Sequence, residues 1–125
     1  MFEEKSRAKP NAASAEAVPE EKKSYVCKRC EVEITDSRAL FCMRSNSVEQ
    51  VFPNPLGMMR VILTARAAKS LHLTGDATAE FTWFAGYAWR IAYCASCMSH
   101  LGWSYEGDGE PHVFYGLLKD ALAER

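Results

Sequence analysis

The sequence predicts a mostly β, antiparallel fold in more than one small sheet, pinned by a structural four-cysteine zinc site. Three observations predict it. Apolar residues alternate with small, polar or charged ones at Trp89, Ile91 and Tyr93, and again at Leu101, Trp103 and Tyr105, the period of two that marks a half-buried strand. Turn chemistry recurs between the apolar runs, at Thr35-Asp36-Ser37, Ser45-Asn46-Ser47, Gly75-Asp76 and Gly107-Asp108-Gly109. Two Cys-x-x-Cys pairs, Cys27 with Cys30 and Cys94 with Cys97, lie at the two ends of this pattern, and thiol pairs on tight knuckles are what a tetrahedral sulfur site needs.

Taken in order, residues 1–24 are rich in Ala, Glu, Lys and Pro, with Met1, Phe2 and Val18 as their only large apolar side chains. Such a stretch buries too little apolar surface to offset chain entropy. Residues 1–24 are therefore expected to form a disordered tail and residues 25–125 the domain. The first knuckle follows at once in YVCKRC, and residues 39–43 (ALFCM) read as a short strand. Pro53-Asn54-Pro55-Leu56-Gly57 excludes both helix and central strand and reads as an ordered loop. Residues 58–64 are β-compatible through Val61 and Ile62, whereas the following ARAAKSLHL is open between helix and a strand with a turn. Strands return at Trp89, Leu101 and His112, and residues 119–125 read as one turn of helix.

At 125 residues there is room for one domain. A net charge of −1, with scattered basic residues, argues against a nucleic-acid partner, whose phosphates call for a basic face. The N-terminus lacks the apolar run of a signal peptide, and no stretch approaches the roughly 18 apolar residues of a membrane span. Five cysteines, an odd number, without an export signal point to a reducing, cytoplasmic setting.

In such a setting two Cys-x-x-Cys pairs mean metal more readily than disulfides. Zinc is the default ion for four thiolates. A thioredoxin-like redox pair and an iron–sulfur cluster compete with it, but neither explains two pairs flanking a β domain. With all four positions filled by Cys27, Cys30, Cys94 and Cys97, no place remains for water, so the metal is structural. Cys42, set in LFCM, reads as a small buried apolar residue. His100, three residues past Cys97, reads as a polar neighbour of the knuckle, with substitute ligand as the other option.

Residues 80–105 hold all three tryptophans and the second thiol pair. Trp83 and Trp89 bracket Phe84-Ala85-Gly86-Tyr87-Ala88, with a turn expected at Gly86. A loop with an indole at each end makes two walls of a box. Trp103 on the next strand makes the back wall, with Tyr105 on the same face. Indoles are rigid, so they make good recognition walls at low ordering entropy.

The knuckle CKRC, the loop NPLG, the run EFTWFAGYAWRIAYCASCMSHLGWSY and the segment FYGLLKDAL, in that order, resemble the cereblon-type thalidomide-binding (CULT) domain, especially its stand-alone bacterial forms. The resemblance covers nearly all of residues 25–122. It implies a β-tent of two antiparallel sheets pinned by zinc, no enzymatic activity, and a pocket for cyclic imides such as glutarimide, including peptides ending in a cyclic imide. It also implies that Trp83, Trp89 and Trp103 are the cage walls, with Tyr105 beside them. The backbone through Phe81, Thr82 and Trp83 then reads the imide edge, and Asn54 with Pro55 forms the lip. Phe81 and Leu56 stand where the vertebrate form has histidines, which bears on affinity and selectivity. The vertebrate protein's further domains have no room here, so ligase partners are not implied.

Two other functions fit parts of the pattern. An aromatic cage also suits a methylated or quaternary ammonium ion, with Glu80 as counter-charge. A type B methionine sulfoxide reductase is another two-knuckle zinc β protein. That chemistry needs a nucleophilic cysteine in an Arg-x-Cys-x-Asn context, which is missing here.

Overall fold

The computed structural model describes residues 22–125. Most of the expected tail lies outside the described residues. Within them, nine strands form two antiparallel sheets: β1 (Ser24–Cys27), β2 (Glu33–Asp36), β3 (Glu49–Pro53), β4 (Met59–Ala65), β5 (Leu71–Thr78), β6 (Tyr87–Cys94), β7 (His100–Gly107), β8 (Val113–Leu118) and β9 (Leu122–Glu124). The small sheet has the order β2-β1-β9 and the large one β3-β4-β8-β7-β6-β5. Among the described residues no helix is long and apolar enough to cross a membrane.

The large sheet is buried differently on its two faces. In β8 the side chains of Phe114 and Leu118 join one apolar cluster with Ile62, Phe84, Tyr87 and Tyr105. Leu117, one residue out of phase, joins the other with Leu63, Cys94, Leu101 and, from the small sheet, Cys27, Ile34 and Leu122. One face therefore packs on the small sheet, and the other packs on the loops that carry the aromatic residues. Each large aliphatic residue fully buried this way contributes about 1.5–3 kcal/mol.

Three local expectations are corrected. Residues 39–43 do not form a strand: Ser37–Ala39 is a short 3-10 turn capped by the Asp36 carboxylate, which accepts the Arg38 N–H at 2.9 Å, and beyond it only Leu40 bridges to Ala65. Because the chain leaves the sheet there, Met43 turns into the core while Cys42 is exposed, contrary to its expected burial. Residues 119–125 make only a 3-10 turn before β9, which pairs with β1 through Tyr25–Glu124, Val26–Ala123 and Cys27–Leu122. Gly75 does not end its strand. It takes φ +72° inside β5, at an irregularity between Thr74 and Thr78. The ambiguous ARAAKSLHL resolves as the end of β4, a turn with Ser70 at φ +61°, and the start of β5.

The alternation in β7 is broken by a bulge. Ala92 pairs with Gly102 and Tyr93 with His100, so Leu101 is an extra residue. Leu101 consequently faces the small sheet, while Trp103 and Tyr105 face the aromatic side. Gly102 makes the switch possible. It has φ +146°, and a Cβ there would strike the Gly116 carbonyl oxygen and come within 2.9 Å of the Leu117 Cα. Gly102→Ala is expected to cost about 3 kcal/mol, combining backbone strain with a clash against β8. Gly75→Ala, with no atom within 4 Å of the new methyl, should cost about 1 kcal/mol from φ alone. Urea unfolding of the two variants measures the difference, and equal losses would remove the close approach as the cause.

Candidate functional site

The two knuckles are built alike. Cys27 ends β1 and Cys94 ends β6. In each, the first cysteine's carbonyl accepts the N–H four residues on, from Glu31 at 2.8 Å and from Met98 at 2.7 Å. Its own N–H donates to the carbonyl five residues on, of Val32 at 2.9 Å and of Ser99 at 2.8 Å. The residue after the second cysteine is left-handed in both, Glu31 at φ 70° and Met98 at φ 64°. The matching backbone brings the four sulfurs within 4.8 Å of one another. Cys27 Sγ lies 3.6 Å from Cys97 Sγ, and Cys30 Sγ 3.5 Å from Cys94 Sγ.

These separations are far above the roughly 2.05 Å of a disulfide. They approach the edge of about 3.8 Å expected of a tetrahedron with Zn–S near 2.3 Å. Burial pushes the Cys94 thiol up to about 11, whereas the Ser99 hydroxyl and N–H bring Cys97 down to about 6. Only a cation held among them gives four thiolates a common reason to ionise. His100 is not a ligand: its Nε2 lies 3.1 Å from the Gly102 carbonyl and its ring stands edge-on to Trp103 at 5.0 Å. Burial lowers its pKa, so the ring stays neutral and Nε2–H donates.

Across the large sheet from the sulfurs, Asn54, Pro55, Phe81, Trp83, Trp89, Trp103 and Tyr105 line one cavity of about 160 Å³. Trp83 and Trp103 meet edge to face, with centroids 5.0 Å apart and planes at 75°. The indole N–H groups of Trp83, on the loop before β6, and of Trp89, on β6, are tied back. Trp83 Nε1 donates to the Pro53 carbonyl at 2.9 Å, and Trp89 Nε1 to the Glu80 carbonyl at 2.7 Å. Behind Trp83 lies Phe52, stacked at 5.1 Å and 12°. Tyr105 stacks on Phe114 at 4.9 Å and 12°, with Phe84 edge-on to both.

The lip is equally fixed. The Asn54 side-chain oxygen accepts the N–H of Leu56 at 3.0 Å and of Met58 at 2.9 Å, and Gly57 turns the loop at φ +86°. Phe81, 68% exposed, sits at the rim in a left-handed conformation with φ 59°. Thr82 is not among the lining residues. Its N–H donates to the Ala79 carbonyl at 3.2 Å, and its hydroxyl bonds within the loop to Phe84. Among the described residues, neither the Phe81 carbonyl nor the Trp83 N–H has a hydrogen-bond partner. Nothing in the sequence signalled the Phe52 stack or the two carbonyl clamps, because they depend on how β3 and β6 approach the 79–86 loop.

Two knuckles joining two sheets, with a ligand-sized aromatic cavity on the far face, define a zinc-pinned β domain. A family profile described as Yippee zinc-binding/DNA-binding /Mis18, centromere assembly matches residues 23–111, and the chain belongs to that family. Within it the domain is cereblon-like. It is 37% identical to protein cereblon of Gallus gallus over 106 residues, which is 82% of this chain and 24% of the relative. It is 37% identical to that of Danio rerio over 103 residues, 79% of this chain and 24% of the relative. For Drosophila erecta the identity is 28% over 103 residues, covering 78% and 18%. The chain thus spans about a quarter or less of the length of these relatives.

The family and the four-sulfur geometry make the cofactor a structural zinc. Metal analysis should return one zinc per folded chain. Cys94→Ser should abolish cooperative thermal unfolding, because zinc affinity at such sites, about 10–16 kcal/mol in peptides, is also folding energy. Folded zinc-free protein, or an unchanged melting temperature in that variant, would contradict this.

Proposed function

We propose that the domain, residues 25–125, is a binding module for small neutral cyclic imides, including peptides that end in one, and that it is not an enzyme. The observation that carries this reading is the pair of unpaired backbone groups beside the cage, the Phe81 carbonyl and the Trp83 N–H. An imide presents an N–H flanked by carbonyls along one edge of a ring whose remainder is apolar. The Phe81 carbonyl would accept the imide N–H, the Trp83 N–H would donate to a flanking carbonyl, and Trp83, Trp89 and Trp103 would cover the ring. Asn54 and Pro55 would close the lip. A volume of about 160 Å³ is below the roughly 300–1,000 Å³ of a site for a drug-sized molecule, which suits one small ring.

The lining contains no lysine, arginine, carboxylate, cysteine or histidine. It therefore offers no nucleophile, no acid–base pair and no counter-charge. That favours a neutral ligand over a methylated ammonium, for which Glu80 is the only nearby carboxylate in sequence and lies outside the lining. Metal thiolates suit a reducing compartment such as the cytoplasm. Glutarimide has eight heavy atoms, so at a ceiling of about 1.5 kcal/mol per atom it cannot exceed about 12 kcal/mol, and micromolar binding is expected.

Competition titrations with glutarimide, N-methylglutarimide and glutaramic acid test the imide edge. N-methylation leaves the Phe81 carbonyl unpaired at a cost of about 1–3 kcal/mol, up to roughly a hundredfold, before any steric term. Ring opening should hurt as much, because it desolvates a charge beside indoles. Equal affinity for the first two compounds would sink this mechanism, and preference for tetramethylammonium would point to the cation cage instead.

Trp103→Ala should abolish imide binding while costing less than the roughly 3–5 kcal/mol of a core tryptophan truncation, since Trp103 is only half-buried. Thermal melting and titration of the same sample check both halves. Global unfolding would mean that this indole is core rather than wall.

A further inference from the structure

The described residues contain two large tyrosines that are almost completely buried, Tyr87 at 1% and Tyr105 at 2% exposure, and their hydroxyls are treated differently. Tyr87 Oη donates to the Pro111 carbonyl at 2.6 Å. Tyr105 Oη has no hydrogen-bond partner among the described residues: burial alone, with no hydrogen bond, pushes its ionisation far above the ordinary phenol range, so the group is a neutral hydroxyl. Its oxygen is not sealed inside protein, and the surface that this residue reaches is the cage cavity. A phenylalanine would fill the same stack on Phe114 without presenting a polar atom to the cavity.

We propose that the Tyr105 hydroxyl is a second polar reading point in the cage, serving a ligand that carries a hydrogen-bonding heteroatom in its ring on the side away from the imide nitrogen. The proposal rests on the imide reading above. With the imide edge held by the Phe81–Trp83 backbone at the rim, the opposite vertex of a six-membered ring points away from that loop and toward the strands. Tyr105 is on β7, between Trp89 of β6 and Phe114 of β8 in the register. Trp103, two residues earlier, is on the same face of the strand. The other side chains lining the inner walls are indoles; those of Trp83 and Trp89 already donate to backbone carbonyls, and that of Trp103 can only donate. Among the described residues the hydroxyl is thus the one unengaged side-chain group on the inner wall that can both donate to a ring atom and accept from one. A ring ether oxygen would accept its proton, and a ring N–H would donate to its oxygen. The class selected is a cyclic imide with a ring heteroatom, in preference to the plain hydrocarbon ring of glutarimide.

The probes are glutarimide and morpholine-3,5-dione, which differ only in the ring atom opposite the imide nitrogen, CH₂ in one and oxygen in the other. Both are titrated against the zinc-loaded wild-type chain and against Tyr105→Phe by tryptophan fluorescence. The quantity read is the ratio of their dissociation constants. Tyr105→Phe is expected to shift that ratio about five- to tenfold against the dione, the worth of one hydrogen bond. A ratio unchanged within twofold overturns the role of the hydroxyl and leaves the imide reading standing. So does loss of glutarimide binding by a variant that still melts cooperatively, because the hydroxyl would then support the cage rather than read the ligand. Failure of the wild-type chain to bind either ring overturns the imide reading and this inference with it.

Discussion

Four sulfurs contributed by two hairpin ends must meet around one ion, and much of the architecture follows from that meeting. Cys27 and Cys30 belong to the small sheet, Cys94 and Cys97 to the large one. Among the described residues no strand is shared between the sheets, which are joined by the apolar seam around Ile34, Leu63, Leu101 and Leu122, by the Lys69 N–H and the Thr35 hydroxyl donating to the Ile34 and Ala67 carbonyls, each at 2.7 Å, and by the metal site. Two left-handed residues, Glu31 and Met98, are tolerated to achieve it, and neither is the glycine that such a conformation favours. The same ion fixes where β6 and β7 begin their pairing, and those strands carry Trp89, Trp103 and Tyr105. A metal on the other side of the large sheet thereby bears on the spacing of the cavity walls.

The cage is stiffened from behind rather than from within. Phe52 stacks on Trp83, His100 meets the edge of Trp103, and Phe114 with Phe84 encloses Tyr105. The carbonyls of Pro53 and Glu80 hold two indole N–H groups that would otherwise need water or ligand. Walls held in this way would lose little freedom to a ligand, as the proposed binding of a small ring without a large interface requires. The strain is placed at the rim, where Phe81 combines a positive φ with exposure of a large apolar ring. Positions of that kind are commonly functional.

Much of the fold was legible because its strongest signals are local. Two thiol pairs, alternating aromatic strands and Pro-Asn-Pro-Leu-Gly each carry their reason in a few residues. What was not legible depended on non-local contact. Cys42 was expected inside because LFCM is apolar, yet the departure of the chain from the sheet after Leu40 exposes the thiol and gives the core position to Met43. Leu101 and Trp103 share a phase in sequence and lie on opposite faces because a bulge intervenes. The only hint was Gly102, which cannot be told from an ordinary glycine until the Gly116 carbonyl is placed against it. Of the residues named from the sequence for the pocket, through the resemblance as much as through physics, all but Thr82 line the cavity. The supporting stack and the carbonyl clamps needed the fold.

The position of β1 has a consequence for how the chain comes into being. It is the central strand of the small sheet, paired on one side with β2 and on the other with β9. As a ribosome delivers the chain, β1 and β2 emerge first and can form a hairpin at once. One edge of β1 then stays open until residues 122–124 have left the exit tunnel. Cys27 and Cys30 wait in the same way for Cys94 and Cys97, so the sheet cannot close before the domain's last strand has been made. Closure of such distant contacts is slow, and an open strand edge is the feature by which nascent chains associate wrongly. The nascent domain therefore depends on whatever shields that edge, and on zinc being at hand when the last strands appear.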